Sequence, residues 1–239
     1  MSKPIGPFWK YYGGKWRAAP RYPAPECRTI VEHFAGAAGY ACRYPHHDVI
    51  LIDKDPIIAG IWDYLIKATP AEILALPDIP EGGTVDDMHA PQEVRWLAGF
   101  WCSNGAAQPR KSPSAWVREW SEEKLLGWCQ AIRERIAAGV PRIKHWQIIH
   151  GSYTDAPRGK ATHFVDPPYQ TAAGRHYKHS DVDYQALGAR CLTLEGQVIA
   201  MDQVGADWMP WTGRMDHKST LGESKEVLYH RSSQPGLFQ

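Results

Sequence analysis

Four consecutive residues, Asp166-Pro167-Pro168-Tyr169, follow the apolar run His163-Phe164-Val165. Proline has no N–H to give to a sheet ladder, so two in succession end a strand and stiffen the backbone beyond it. A carboxylate, a rigid turn and an aromatic ring therefore collect at the carboxyl end of a strand. In an open α/β sheet that is the side on which ligands bind. An acid that can bond an exocyclic amine, next to a ring that can stack, suits an extruded nucleobase. The plain alternative is a strand that stops at a Pro-Pro turn and buries Tyr169 in the core.

Three more segments carry comparable groups. In Phe34-Ala35-Gly36-Ala37-Ala38-Gly39, the two glycines would let a ligand and the start of a following helix come close to the backbone. Asp53 stands 17 residues beyond Gly36, and a glycine turn followed by an acid is how nucleotide-binding folds hold a ribose diol. The glycines fall short of a full G-x-G-x-x-G, and Asp53 could equally cap a helix opening at Pro56, alongside Asp55. Nearer the N-terminus, Trp9-Lys10-Tyr11-Tyr12-Gly13-Gly14-Lys15 sets paired glycines between aromatic rings and a lysine. Such a segment folds over a ligand or is simply a flexible arm.

The elements that must position these groups follow from the apolar pattern. Residues 28–34 and 47–52 are short buried strands, the first followed by a small-residue turn and a helix start. After Pro56, Ile57, Ile58, Ile61, Trp62, Leu65 and Ile66 recur at helical spacing, with the proline in the first turn. Further strands are expected over 145–150, 161–165, 196–201 and 225–230, and a helix over 183–194. The alternation predicts an α/β fold with a mostly parallel, doubly wound sheet. Residues 69–143 break it: helical patches are interrupted by prolines, and the block holds Trp96, Trp101, Trp116, Trp120 and Trp128. Trp116 and Trp120, four apart, share a helix face, which is usually core packing. At about 70 residues the block is too long for a loop and reads as a helical insertion. Within it, 103–114 is polar, carries Arg110 and Lys111, and is a candidate mobile loop.

The 239 residues suit one sizeable domain with a smaller insertion, and the net charge of +1 by itself selects no partner. Local charge is more informative. The first 25 residues hold Lys3, Lys10, Lys15, Arg17 and Arg21 and no acid, and 170–180 holds Arg175, His176, Lys178 and His179 and no acid. Both stretches could meet phosphates. Five scattered cysteines without a C-x-x-C pair point to a reducing cytoplasm and away from a zinc site. There is no H-E-x-x-H, no N-terminal apolar leader and no run long enough to span a membrane, so no metal and no membrane partner are expected. The oligomeric state is left open.

Taken in order, Tyr11-Tyr12-Gly13-Gly14-Lys15, Val31 to Gly39, Asp53 and Asp166-Pro167-Pro168-Tyr169 resemble the Dam-like adenine-N6 DNA methyltransferases, of the restriction-modification or orphan prokaryotic and phage kind. The resemblance covers roughly residues 9–67 and 145–231, with Lys225-Glu226-Val227-Leu228 looking like the family's last strand. It implies a Rossmann-like methyltransferase fold over 1–68 and 144–239, S-adenosylmethionine as cofactor and double-stranded DNA as partner. The 69–143 insertion then falls where the family places its target-recognition subdomain. Tyr11 and Lys15 would contact the cofactor's methionine end, Phe34, Gly36 and Gly39 its floor, Asp53 the ribose hydroxyls, and Tyr153 the adenine. Asp166 and the carbonyl of Pro167 would hold the target amine and Tyr169 would stack on the base, with Pro168 completing the turn.

The chain departs from the family at His33, where proline is common, and at Ser152, where an acid usually precedes the aromatic. The insertion matches nothing clearly, so Arg110, Lys111, Arg175 and Lys178 are candidate DNA contacts by charge and context alone. Cytosine-N4 methylation on the same fold and a catalytically silent nucleic-acid-binding module are the alternatives. Methylation of RNA or of a protein glutamine fits less well, because relatives of that kind more often carry Asn in place of Asp166. An NAD-dependent enzyme fits poorly with the incomplete glycine pattern.

Overall fold

The computed structural model describes residues 3–115, 117, 127–219 and 222–233, with only the backbone of 172–173, 217–219 and 222–224; Trp116 and Trp120 lie outside the residues whose side chains are described. Among the described residues seven strands form one sheet: β1 (Thr29–Glu32), β2 (Asp48–Asp53), β3 (Gln147–His150), β4 (Ala161–Val165), β5 (Gly196–Gln203), β6 (Gly213–Ser219) and β7 (Gly222–Arg231). Their order is β3-β2-β1-β4-β5-β7-β6. The first five are parallel, while β7 runs antiparallel to both β5 and β6. This is the expected Rossmann-like methyltransferase arrangement. The order reverses between β1 and β4, so the switch-point crevice opens beside the residues that follow those two strands.

Period-two alternation sends successive strand residues to opposite faces. Ile30, Val49, Leu51, Phe164, Ile199 and Met201 join one core, and Val165, Val198 and Ala200 join another beneath α5 (Tyr184–Thr193). The first core is covered by α1 (Pro56–Lys67) and by helices of the insertion: α2 (Pro70–Leu74), α3 (Gln92–Trp101) and α4 (Gln130–Gly139). Its aromatic centre joins the N-terminal arm to both. Trp62 lies 5.5 Å from Phe8, 5.0 Å from Trp9 and 5.7 Å from Trp146, and Trp101 donates to the carbonyl of Phe8 at 3.1 Å. The loop over 103–114 is tied by Arg110 N–H to Gly99 O at 3.1 Å and Ser114 N–H to Cys102 O at 2.8 Å. Among the described residues no helix is long and apolar enough to cross a membrane.

Two expectations are corrected. No α-helix follows the glycine turn: Gly36 and Ala38 have φ of 45° and 46°, and only a 3-10 turn, Ala41–Arg43, precedes Pro45. Left-handed residues on one side and a proline on the other leave too little chain for a helix. Second, β6 was not expected. Arg214, Asp216 and Lys218 make it polar, and it exists because β7 offers it an unpaired edge.

Candidate active site

The carboxyl ends of β1, β2, β3 and β4 open on one cleft enclosing about 910 Å³ of empty space, open solvent included. Tyr11, Lys15, Phe34, Gly36, Gly39, Asp53, Tyr153, Asp166, Pro168 and Lys178 all line it. Ten residues proposed from well-separated parts of the sequence thus meet in one place. Pro167 and Tyr169 stand behind the lining, and Arg175, Arg110 and Lys111 are exposed outside it. Lys111 pairs with Asp86 at 2.6 Å on the surface.

The glycines serve the chain itself before any ligand. A Cβ on Gly36 would lie 2.8 Å from the Tyr11 ring, and one on Gly39 would lie 2.4 Å from the backbone nitrogen of Trp16. The turn after β1 is therefore a seat for the Tyr11–Trp16 loop. Across the cleft, the segment after the Pro-Pro turn closes on the same loop: the Tyr177 hydroxyl donates to Tyr12 O at 3.0 Å, and its ring lies 6.0 Å from that of Tyr11.

At the end of β2, Asp53 accepts from Gly36 N–H and from Asp55 N–H, each at 2.9 Å. The cap of α1 is Asp55, which accepts from Ile57 N–H with Pro56 in the first turn, and whose other oxygen takes the Gln108 amide at 2.9 Å. Asp53 instead ties the glycine turn to the helix start. Burial pushes its carboxyl up to about 6 against the pull of the two N–H groups. Phe34 and Tyr153 pack on each other, with ring centroids 5.7 Å apart and planes tilted by 31°, so together they present one aromatic wall. Ser152 is occupied in a capping turn, its N–H donating to Asp155 at 2.8 Å.

At the end of β4, Asp166 Oδ2 takes the Lys15 ammonium at 2.8 Å, while Oδ1 is buried and has no hydrogen-bond partner among the described residues. Lys15 also donates to Gly13 O at 3.1 Å and lies 4.9 Å above the Tyr169 ring. Burial pushes the Asp166 carboxyl up to about 6; Lys15 opposes this, and Glu226 adds to it. Burial would lower Lys15, but Asp166 and Glu226 outweigh it and hold the ammonium above its ordinary value. The turn is fixed from behind: the Tyr184 hydroxyl donates to Pro168 O at 2.6 Å, and Asp202 accepts from Gln170 N–H and from the Trp208 indole.

Sequence reasoning gave no site role to Glu32, Tyr177, Asp181 or Glu226. Glu32 accepts from Ala41 N–H at 2.6 Å, and burial pushes its carboxyl up to about 8. The departure at His33 is filled by a partner on the next strand, as its ring bonds that of His163 at 3.0 Å. A charged residue at an inward-facing strand position was the available signal for Glu32 and Glu226.

The arrangement can hold a flat heterocycle against the Phe34–Tyr153 pair, a diol against the remaining lone pairs of Asp53, and a hydrogen-bond donor against Asp166. No family model matches the chain, and a comparison with curated proteins finds no match. Among solved structures it is similar to one described as "Putative methyltransferase yhhF from Escherichia coli", at 11% identity and a TM-score of 0.38, covering 92% of this chain and 84% of that one. Another, the "putative methylase HI0767 from Haemophilus influenzae", is 13% identical with a TM-score of 0.35, covering 90% of this chain and 92% of that one. Overlaps this loose do not bear on the site.

Proposed function

We propose that the chain is an S-adenosylmethionine-dependent methyltransferase acting on N6 of an adenine swung out of DNA. One observation carries the reading: Asp166 lines the cleft with one carboxylate oxygen held by Lys15 and the other buried without a partner among the described residues. A buried acceptor without a donor is unfavourable, and an exocyclic amine supplies what it lacks.

The residues present fit the cofactor. The contacting pair Phe34 and Tyr153 would pack on one side of its adenine, Asp53 would take the ribose hydroxyls, and Tyr11 and Lys15 would meet the methionine end. When bound, the cofactor supplies an activated methyl group. The rest falls to this chain. Asp166 Oδ1 and the carbonyl of Pro167 would accept the two N6 hydrogens, favouring a pyramidal nitrogen and stabilising the charge that develops on it. The proton released from N6 has an acceptor in Asp166, which is ionised at neutral pH. Tyr169 would stack on the base with the face of its ring turned away from Lys15. The acid-free N-terminal segment, with Arg175 and Lys178, would meet the phosphates, and the insertion with Arg110 and Lys111 would read the target.

The test is transfer of labelled methyl from S-adenosylmethionine to plasmid DNA, followed by nucleoside analysis. Label in N6-methyladenine is expected. Label in N4-methylcytosine would replace the base assignment. Tight DNA retention with no label would make the chain a silent binding module and sink the proposal.

A further inference from the structure

Beneath the cleft lies one buried carboxylate to which no role has yet been given. Glu226 sits on β7, opposite Gln203 of β5 and Met215 of β6, and is 5% exposed. Its Oε1 accepts the Tyr169 hydroxyl at 2.6 Å and its Oε2 the Tyr22 hydroxyl at 2.7 Å, while the Lys15 ammonium stands 3.8 Å from Oε1. Three side chains from distant parts of the chain converge on this one group. A buried carboxylate is tolerated only when its lone pairs are satisfied, so the phenol of Tyr169 cannot swing away without leaving Glu226 poorer.

The consequence reaches the reacting groups. With its hydroxyl held, the Tyr169 ring keeps one plane, and the ammonium above it is drawn toward Glu226 as well as toward Asp166. Asp166 is thereby held with one oxygen engaged and the other without a partner among the described residues. We infer that Glu226 is a positioning residue for base methylation, fixing the Tyr169 ring and the Lys15 ammonium before the base enters. This rests on the methyltransferase reading given above.

Glu226 also leaves an electrostatic mark. Burial is the largest cause of the raised Asp166 carboxyl, and the charge on Glu226 adds to it. Glu226→Gln keeps an acceptor for a phenol but removes that charge. In the full chain, with plasmid DNA and labelled S-adenosylmethionine, E226Q is expected to lower kcat about tenfold with cofactor KM nearly unchanged, because an interaction felt in the transition state is lost. The acid limb of its rate profile should move to lower pH. E226Q combined with Y169F should lose less than the product of the two single effects, since both weaken the Tyr169–Glu226 contact. Thermal unfolding of each variant checks that it is folded, and E226D, which keeps the charge, stands in if E226Q is not.

An active wild type, with kcat and acid limb unmoved in a folded E226Q, overturns this role alone, as do fully multiplicative effects in the double variant. A wild type that moves no methyl to DNA overturns the function reading, and this role with it.

Discussion

The carboxyl ends of β2 and β4 each deliver an aspartate to the same cleft, and burial raises both to about 6. Their partners differ. Asp53 spends an acceptor on each of two backbone N–H groups and fastens the glycine turn to α1. Asp166 has one oxygen on an ammonium and the other on nothing. One carboxylate is part of the frame, with spare lone pairs; the other has an oxygen for which the described residues provide no donor. Equal burial and equal acidity therefore say little about role, and the identity of the hydrogen-bond partners says more.

The largest effect should come from breaking the β4 end. Asp166→Asn keeps the shape but turns the carboxylate into an amide, and labelled-methyl transfer should fall by about a hundredfold or more. Cofactor affinity by calorimetry should stay within about half a log unit, or 0.7 kcal/mol. Normal turnover in this variant would erase the contrast with Asp53.

Acidity gives the next test. A carboxyl raised to about 6 loses its ionised, accepting form as pH falls through that value, so the rate should drop close to tenfold per unit below it. Stability runs the other way. The folded carboxyls bind protons more tightly than the unfolded ones, so these two groups weaken the fold as pH rises from about 4 to about 6. A rate that holds level to about pH 5 would mean that Asp166 is not the titrating group.

Damage at the β2 end should register mainly in binding and folding. Asp53→Ala leaves two N–H groups without their acceptor, costing about 1–3 kcal/mol for each that stays buried, and should weaken cofactor binding about tenfold. Calorimetry and thermal unfolding read the two effects separately, and a loss confined to turnover would reverse the roles of the two acids.

Gly36→Ala tests the seat that Asp53 secures. A Cβ at a φ of 45° and 2.8 Å from Tyr11 should cost about 1–3 kcal/mol in thermal unfolding. The smallest effect is expected at Lys111→Ala, where the exposed pair with Asp86 is screened by water and thermal unfolding should be nearly unchanged. If Lys111 meets a phosphate, the salt slope of DNA binding should fall by about 0.9.

Much of this was legible in the chain itself. Buried parallel strands read as continuous apolar runs, so β1, β2, β4 and β5 were visible, and Pro-Pro and Gly-rich breaks marked the ends where a ligand would lie. The strand β6 was hidden by its charges, and the absent helix after β1 by a glycine turn that resembles a helix start. Glu226 was seen as a strand residue but not as part of the site, because Tyr169 and Tyr22 lie 57 and 204 positions away in sequence.

By itself the sequence determined which groups stand at strand ends, because periodicity and turn chemistry are local properties. Only the tertiary structure decided which oxygen of which aspartate is left unpaired. That depends on where Lys15, Gly36 and Glu226 come to rest around it, and those contacts are set by sheet order and burial, which no neighbourhood along the chain encodes.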